Sequence, residues 1–286
     1  MEVGNRADLL KKKYPAKLLL FGEHLVLNGA SSLAIPFHRY SAYWTKGKSS
    51  ESLDDFYIYL SSLSFVNQGK LKILKSSGYY LESNIPRGYG LGSSGALCAA
   101  VYEFTVDQNS KKLPSVVIRE LSIIENYFHG KSSGLDAYVI LMNRPIILKG
   151  GIPKHIDIDI RAMPLNLYLI DSGQSRNSKD LISKFVKEES HEEEKKELVR
   201  VSDKLIKDIS NGNYHDLLSL VKLISQYQYD LLNYTIVGSI KPLWEEGLES
   251  NTFSIKLCGA GGGGFYLGFG NQDCFNQLDM EKILVN

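Results

Sequence analysis

The chain is poor in cysteine, in net charge and in long apolar runs. Cys98, Cys258 and Cys274 are an odd, scattered set without CxxC spacing. That suits a reducing compartment and argues against a disulfide framework or a zinc site. Thirty-three basic residues face thirty-two acidic ones, for a net charge of +1, so no broad nucleic-acid or membrane-surface footprint is expected. No run approaches the ~18 apolar residues of a membrane span, and Met1 to Lys13 holds no apolar signal core. Internal repeats and low-complexity tracts are also lacking. The expectation is a soluble cytoplasmic protein with no nucleic-acid or membrane partner.

What is present is apolar substance and glycine. The 286 residues are 43% hydrophobic, enough for one large core or two modest ones, and two domains are expected over one. The most informative stretch runs from Pro86 to Ala96, Pro-Arg-Gly-Tyr-Gly-Leu-Gly-Ser-Ser-Gly-Ala. Leu97, Ala100, Val101 and Phe104 then recur at helical spacing, which predicts a helix starting near Ser93. Glycines ahead of a helix start let backbone approach a ligand and leave N–H groups pointing outward. The helix dipole favours an anion there, so the stretch reads as a phosphate site. Its hydroxyls can reach the phosphate or a metal ion riding on it. Gly90 to Gly95 also fits GxGxxG, as does Gly259 to Gly264. A dinucleotide fold wants a strand running straight into the glycines; here Pro86 interrupts, and Glu120 is the nearest acid at the required distance. A ligand-free turn and N-cap is the plainer alternative.

Lys17 to Phe21 reads as a buried strand. The bracketed segment Gly22-Glu23-His24 to Asn28-Gly29 follows, then an apolar piece over Leu33 to Pro36. Strands are predicted over Arg39 to Trp44, Phe56 to Ser61, Leu71 to Lys75 and Tyr79 to Glu82, with Lys46 to Asp55 as a loop. Ser115 to Phe128 is predicted helical, with Glu125 beside its apolar face. His129-Gly130-Lys131-Ser132-Ser133-Gly134-Leu135-Asp136 follows. Gly130-Lys131-Ser132 imitates the end of a Walker A loop, but Glu125 stands where that motif needs glycine. Ser133 and Asp136 also fit a capping box. Strands are expected at Pro145 to Leu148 and Asn166 to Asp171, with a turn at Gly150-Gly151 between them. Ser175-Arg176-Asn177-Ser178 is expected to open a polar helix, Lys187 to Glu197 to be its solvated face, and Tyr214 to Leu232 to be helical. Thr252 to Leu257 and Phe265 to Phe269 are strands flanking the glycine run, which is either a hairpin or a close backbone approach.

Three ordered segments resemble the signatures of the GHMP kinase superfamily. They are Pro15-Ala16-Lys17 through Gly22-Glu23-His24 to Asn28-Gly29, Pro86 through Ala96, and Lys256-Leu257-Cys258-Gly259 through Gly264. The segment from Glu125 to Asp136 and the triplet Arg176-Asn177-Ser178 resemble the mevalonate branch. The chain departs from the family at Ala16, Gly95 and Ser178, where glycine, alanine and threonine are usual. The resemblance implies a two-domain α+β fold: an N-terminal α+β domain over 1–155 with the phosphate loop, a C-terminal ferredoxin-like domain over 156–286, and the active site in the cleft between. It implies ATP and Mg²⁺ as cofactors, a small-molecule alcohol as partner, mevalonate in the first place, and allows a homodimer. Carried over residue by residue, Asp136 and Lys17 are catalytic, with Lys17 keeping Asp136 ionised. Glu23, His24 and Ser178 contact substrate. Gly88, Gly90, Leu91, Gly92, Ser93, Ser94, Gly95, Gly261 and Gly262 hold the nucleotide, and Ser94 and Glu125 bind the metal.

Overall fold

The computed structural model describes residues 11–25, 29–47, 52–107, 112–176, 181, 190–276, 278 and 280–286. Strands β1 (Lys13–Phe21) and β2 (Ser32–Lys46) form an antiparallel pair. Helices α1 (Asp54–Ser61) and α2 (Gln68–Ser76) follow, then β3 (Tyr79–Ser83). Next come α3 (Ser93–Thr105), α4 (Pro114–His129) and α5 (Leu135–Met142), and the hairpin β4 (Ile146–Lys149) and β5 (Ile152–His155). The first sheet has the order β1-β2-β4-β5, with β3 also on β2. Helices α3 and α5 lie against β1 and β2.

The rest of the chain builds a second sheet. Its elements are β6 (Asn166–Asp171), α6 (Glu192–Ser210), α7 (Leu217–Leu232), α8 (Lys241–Glu249), β7 (Phe253–Leu257), β8 (Phe265–Gly270), α9 (Gln272–Asn276) and β9 (Lys282–Leu284). The order is β7-β8-β6-β9, antiparallel throughout. Every residue of β7 and β8 is buried, which fits their near-continuous apolar sequence. The charged face of α6 carries Glu192, Glu193, Lys196 and Arg200 to solvent, while Leu198, Val201, Leu205 and Ile209 turn inward at helical spacing. No helix among the described residues is long and apolar enough to cross a membrane.

Two expected strands are helices. Phe56 to Ser61 lies in α1, where Phe56 and Leu60 are buried four residues apart. The aromatic and β-branched content of this stretch imitates a strand. Leu71 to Lys75 lies in α2, which buries Leu71 and Leu74 and leaves Ile73 exposed. Its start was legible in Asn67, whose side chain caps Lys70 N at 3.1 Å. The hairpin strand β5 was not foreseen. Asn177 and Ser178, with the expected start of a polar helix there, lie outside the described residues, as does Asn28.

Candidate active site

The phosphate-loop stretch opens a cleft of about 430 Å³. The cleft is lined by Gly88, Gly90, Leu91, Gly92, Ser93 and Ser94 of the loop, by the apolar Leu53, Leu81, Leu97 and Phe128, and by Asp136 and Arg176. Helix α3 begins at Ser93, after Gly92 in the left-handed region at φ 79°. The N–H groups of its first turn have no acceptor within the helix, so amide hydrogens and the positive end of the dipole meet at the cleft wall.

Lys17 and Asp136 meet at this wall. Lys17 Nζ lies 2.9 Å from Asp136 Oδ1; the lysine side chain is 3% exposed and the aspartate 34%, so the carboxylate is the open member of the pair. Three devices fix the lysine. Its own N–H donates to Leu91 O at 3.0 Å, stitching β1 to the loop. Its side chain passes where a Cβ on Gly92 would stand, 2.9 Å from Lys17 Cγ. The aspartate it faces is set in the first turn of α5. Helix α5 starts from Gly134 at φ 77°, and a Cβ there would lie 2.3 Å from Ile118 O. The capping-box alternative for Asp136 is thereby removed: Gly134 is the N-cap, and Ser133 Oγ accepts from Leu135 N at 3.3 Å.

Glu125 is buried behind Asp136 and accepts from Ser132 Oγ at 2.6 Å. Burial first, and the charge of Asp136 second, push its carboxyl up to about 8, against the pull of Ser132 and Lys17. Oxygen donors from Glu125 and Ser94 suit a hard divalent cation. Ser94 Oγ lies 2.9 Å from His129 Nε2, and both residues line the cleft. Glu125 is not among the residues lining the cleft, however, and among the described residues no group of three or more His, Cys, Asp or Glu could hold a metal ion.

Other residues sit elsewhere than expected. Gly95 does not line the cleft; it lets α3 press on α5, with a Cβ there only 3.2 Å from the backbone of Asp136 and Ala137. Gly261 and Gly262 turn to the second half of the chain: Gly262 N donates to Thr235 O at 2.7 Å, and a Cβ on Gly261 would strike Thr235. Glu23 and His24 are also away from the cleft wall. The Glu23 carboxylate is sealed, paired with Lys256 Nζ and accepting from Gln228 Nε2 at 3.2 Å. Burial raises its carboxyl, opposed by Lys256. His24 Nε2 lies 3.0 Å from Ala260 O, and burial drops the imidazole to about 4.

One cleft residue was passed over as a site candidate. Arg176 N donates to Gly88 O at 2.9 Å, and its guanidinium packs by Gly90 and Gly259. Together with Lys17 and Lys256 it acts on the Cys258 thiol, which burial nevertheless pushes up to about 11. The sequence signal for it was present in the Arg176-Asn177-Ser178 triplet.

Residues 60–144 match the pattern of the GHMP kinases N terminal domain. That segment of the chain carries a GHMP kinases N terminal domain. The domain match and the relatives below support a small-molecule kinase, with ATP as the implied phosphoryl donor. A mevalonate kinase of Archaeoglobus fulgidus is 24% identical to this kinase over 269 residues, 89% of this chain and 90% of that one. The fold of this kinase is similar to the crystal structure of the Methanococcus jannaschii mevalonate kinase, at a TM-score of 0.64 and 18% identity over 96% of both chains. It is also similar to Lactococcus lactis galactokinase complexed with galactose, at 0.66 and 13% identity over 99% of this chain and 96% of that one. The two-sheet α+β architecture is thus a GHMP kinase fold.

Proposed function

We propose that this kinase transfers the γ-phosphoryl group of ATP to the primary hydroxyl of mevalonate, giving 5-phosphomevalonate and ADP in isoprenoid precursor synthesis. The observation that carries the reading is the Lys17–Asp136 pair at the wall of the phosphate-loop cleft. The two sheets serve as domains over 1–155 and 156–286. The triphosphate lies along Gly88, Gly90, Leu91, Gly92, Ser93 and Ser94, where amide hydrogens compensate its charge. Asp136 takes the proton from the acceptor hydroxyl as its oxygen attacks the γ-phosphorus. The bond from that phosphorus to the bridging oxygen breaks, and ADP leaves with the electron pair. The transition state is largely dissociative, so placement and charge compensation supply most of the rate. Lys17 steadies Asp136 and the oxygens of the transferring group, and Arg176 adds positive charge across the loop. Ser94 and Glu125 would hold Mg²⁺, which neutralises phosphate charge when bound.

The 24% identity over most of both chains supports mevalonate as the acceptor. The similarity to a galactokinase supports a sugar kinase as the second reading. A third is a family member that binds nucleotide without turnover. ADP release measured with mevalonate, phosphomevalonate and galactose separates the three. Mevalonate should give the highest kcat/KM. A higher value with either other alcohol moves the acceptor, and ATP binding with no ADP release from any of them removes the kinase reaction.

A further inference from the structure

The turn after β1 is built to reach the other half of the molecule. Gly22 has φ 99°, and a Cβ there would lie 2.4 Å from Ser32 Oγ. His24 has φ 62°, a left-handed conformation that disfavours a side chain other than glycine's. The turn throws two consecutive side chains across to the glycine-rich strand connection. Glu23 meets Lys256 of β7 and Gln228 of α7, and His24 meets Ala260 O. Lys256 and Glu23 are 0% and 1% exposed. The lysine also donates to Leu257 O at 2.6 Å and lies over the Phe21 ring, 5.3 Å from its centroid. Gln228 completes the junction, its Oε1 accepting from Leu257 N at 2.9 Å.

Just beyond, the same segment backs the phosphate loop. A Cβ on Gly90 would be 2.8 Å from Cys258 O, and one on Gly264 would be 2.7 Å from Tyr89 Cα. One end of this arrangement is thus β1, which carries Lys17, and the other is the backing of the loop that β1 is hydrogen-bonded to.

We propose that Glu23 and Lys256 are positioning residues: a buried ion pair that pins the end of β1 to the exit of β7 and so holds Lys17 and the phosphate loop in register. The pair touches neither nucleotide nor alcohol. The proposal rests on the reading of the loop as the nucleotide site. Its physical basis is directional. A buried charge with its partner removed is strongly unfavourable, whereas a neutral pair filling the same space is tolerated. Folding can therefore survive the loss of both charges, while the fixed geometry that two charges impose is lost.

The test compares the full chain with Glu23→Gln, Lys256→Met and the double variant. Thermal unfolding, ADP binding by calorimetry and steady-state kinetics are read on each. Each single variant should melt earlier and bind ADP more weakly. The double variant should recover the melting temperature, yet bind ADP at least fivefold more weakly and turn over about tenfold more slowly than wild type, with KM for the alcohol within twofold. Glu23→Asp, which keeps the charge and shortens the reach by one methylene, should fall between. A double variant with wild-type ADP affinity and kcat overturns the proposal and makes the pair packing alone. So does a rise in alcohol KM in the Glu23 variants with Lys256→Met unaffected, which would make Glu23 a substrate contact. A wild-type chain that binds no ADP overturns the nucleotide reading and the pin with it.

Discussion

The two glycine-rich stretches, Gly88 to Gly95 and Gly259 to Gly264, fit the same short pattern and place glycines at positive φ alike. They differ in where their N–H groups go. The first runs into a helix, and the amides of that first turn face a cleft. The second runs into β8, and two of its amides find acceptors inside the protein: Gly262 N on Thr235 O and Gly264 N on Gln174 O, both at 2.7 Å. The first stretch lines a cleft; the second gives the first room, with a Cβ on Gly264 only 2.7 Å from Tyr89 Cα. A glycine pattern acquires its meaning from the element that follows and from the acceptors its amides find.

The largest test of that contrast is Asp136→Asn, which keeps shape and removes the proton acceptor beside the first stretch. Turnover should fall about 10³-fold, or ~4 kcal/mol, as general-base loss commonly costs, while calorimetric ADP binding stays within a few-fold. Near-normal turnover would make Asp136 a structural partner of Lys17. Next is Gly264→Ala in the second stretch. The added methyl meets Tyr89 Cα at 2.7 Å, at a backbone φ of 72°. Overpacking and left-handed strain together should cost about 3 kcal/mol in urea unfolding. The same variant should weaken ADP binding, because the obstructed neighbour is the phosphate loop.

A pH titration probes the seam between the two halves. His24 is buried against Ala260 O, with its imidazole held down to about 4 from an ordinary 6.5. Between those values the unfolded chain binds the extra proton and the folded chain does not. Stability contributed by this residue is therefore complete above about pH 6.5 and is lost as the pH falls toward 4. The loss should amount to at most about 3 kcal/mol, and His24→Gln should flatten that part of the profile in denaturant titrations. The smallest effect should come from Gly150→Ala at the β4–β5 hairpin tip. Its φ is 55°, but nothing lies within 4 Å of the added Cβ. About 1 kcal/mol of stability and no kinetic change are expected; a kinetic effect there would show that glycine loss acts globally in this chain.

The site was legible where chemistry demands particular residue types in order. Lys17 and Asp136, 119 positions apart, are expected together only through the family resemblance, and the structure brings them to 2.9 Å. Local pattern was less reliable where it was short. Phe56 to Ser61 has the composition of a strand, and only packing of Phe56 and Leu60 on one side makes it α1. Glu23 and His24 were assigned to substrate because a carboxylate and an imidazole beside a turn suit a polar ligand. Their partners, Lys256, Gln228 and Ala260, lie more than 200 positions away in the chain, and no local rule brings them together. Arg176 reaches the cleft through the pairing of its own backbone with Gly88 O, again a contact only tertiary structure supplies.

Position 92 limits how a protein of this design can drift. A Cβ there would lie 2.9 Å from Lys17 Cγ and 3.2 Å from Ile140 Cδ1, at a backbone φ of 79°. Position 92 admits no gradual path: the loop, the lysine beneath it and the carboxylate it faces must move together, or the residue stays glycine.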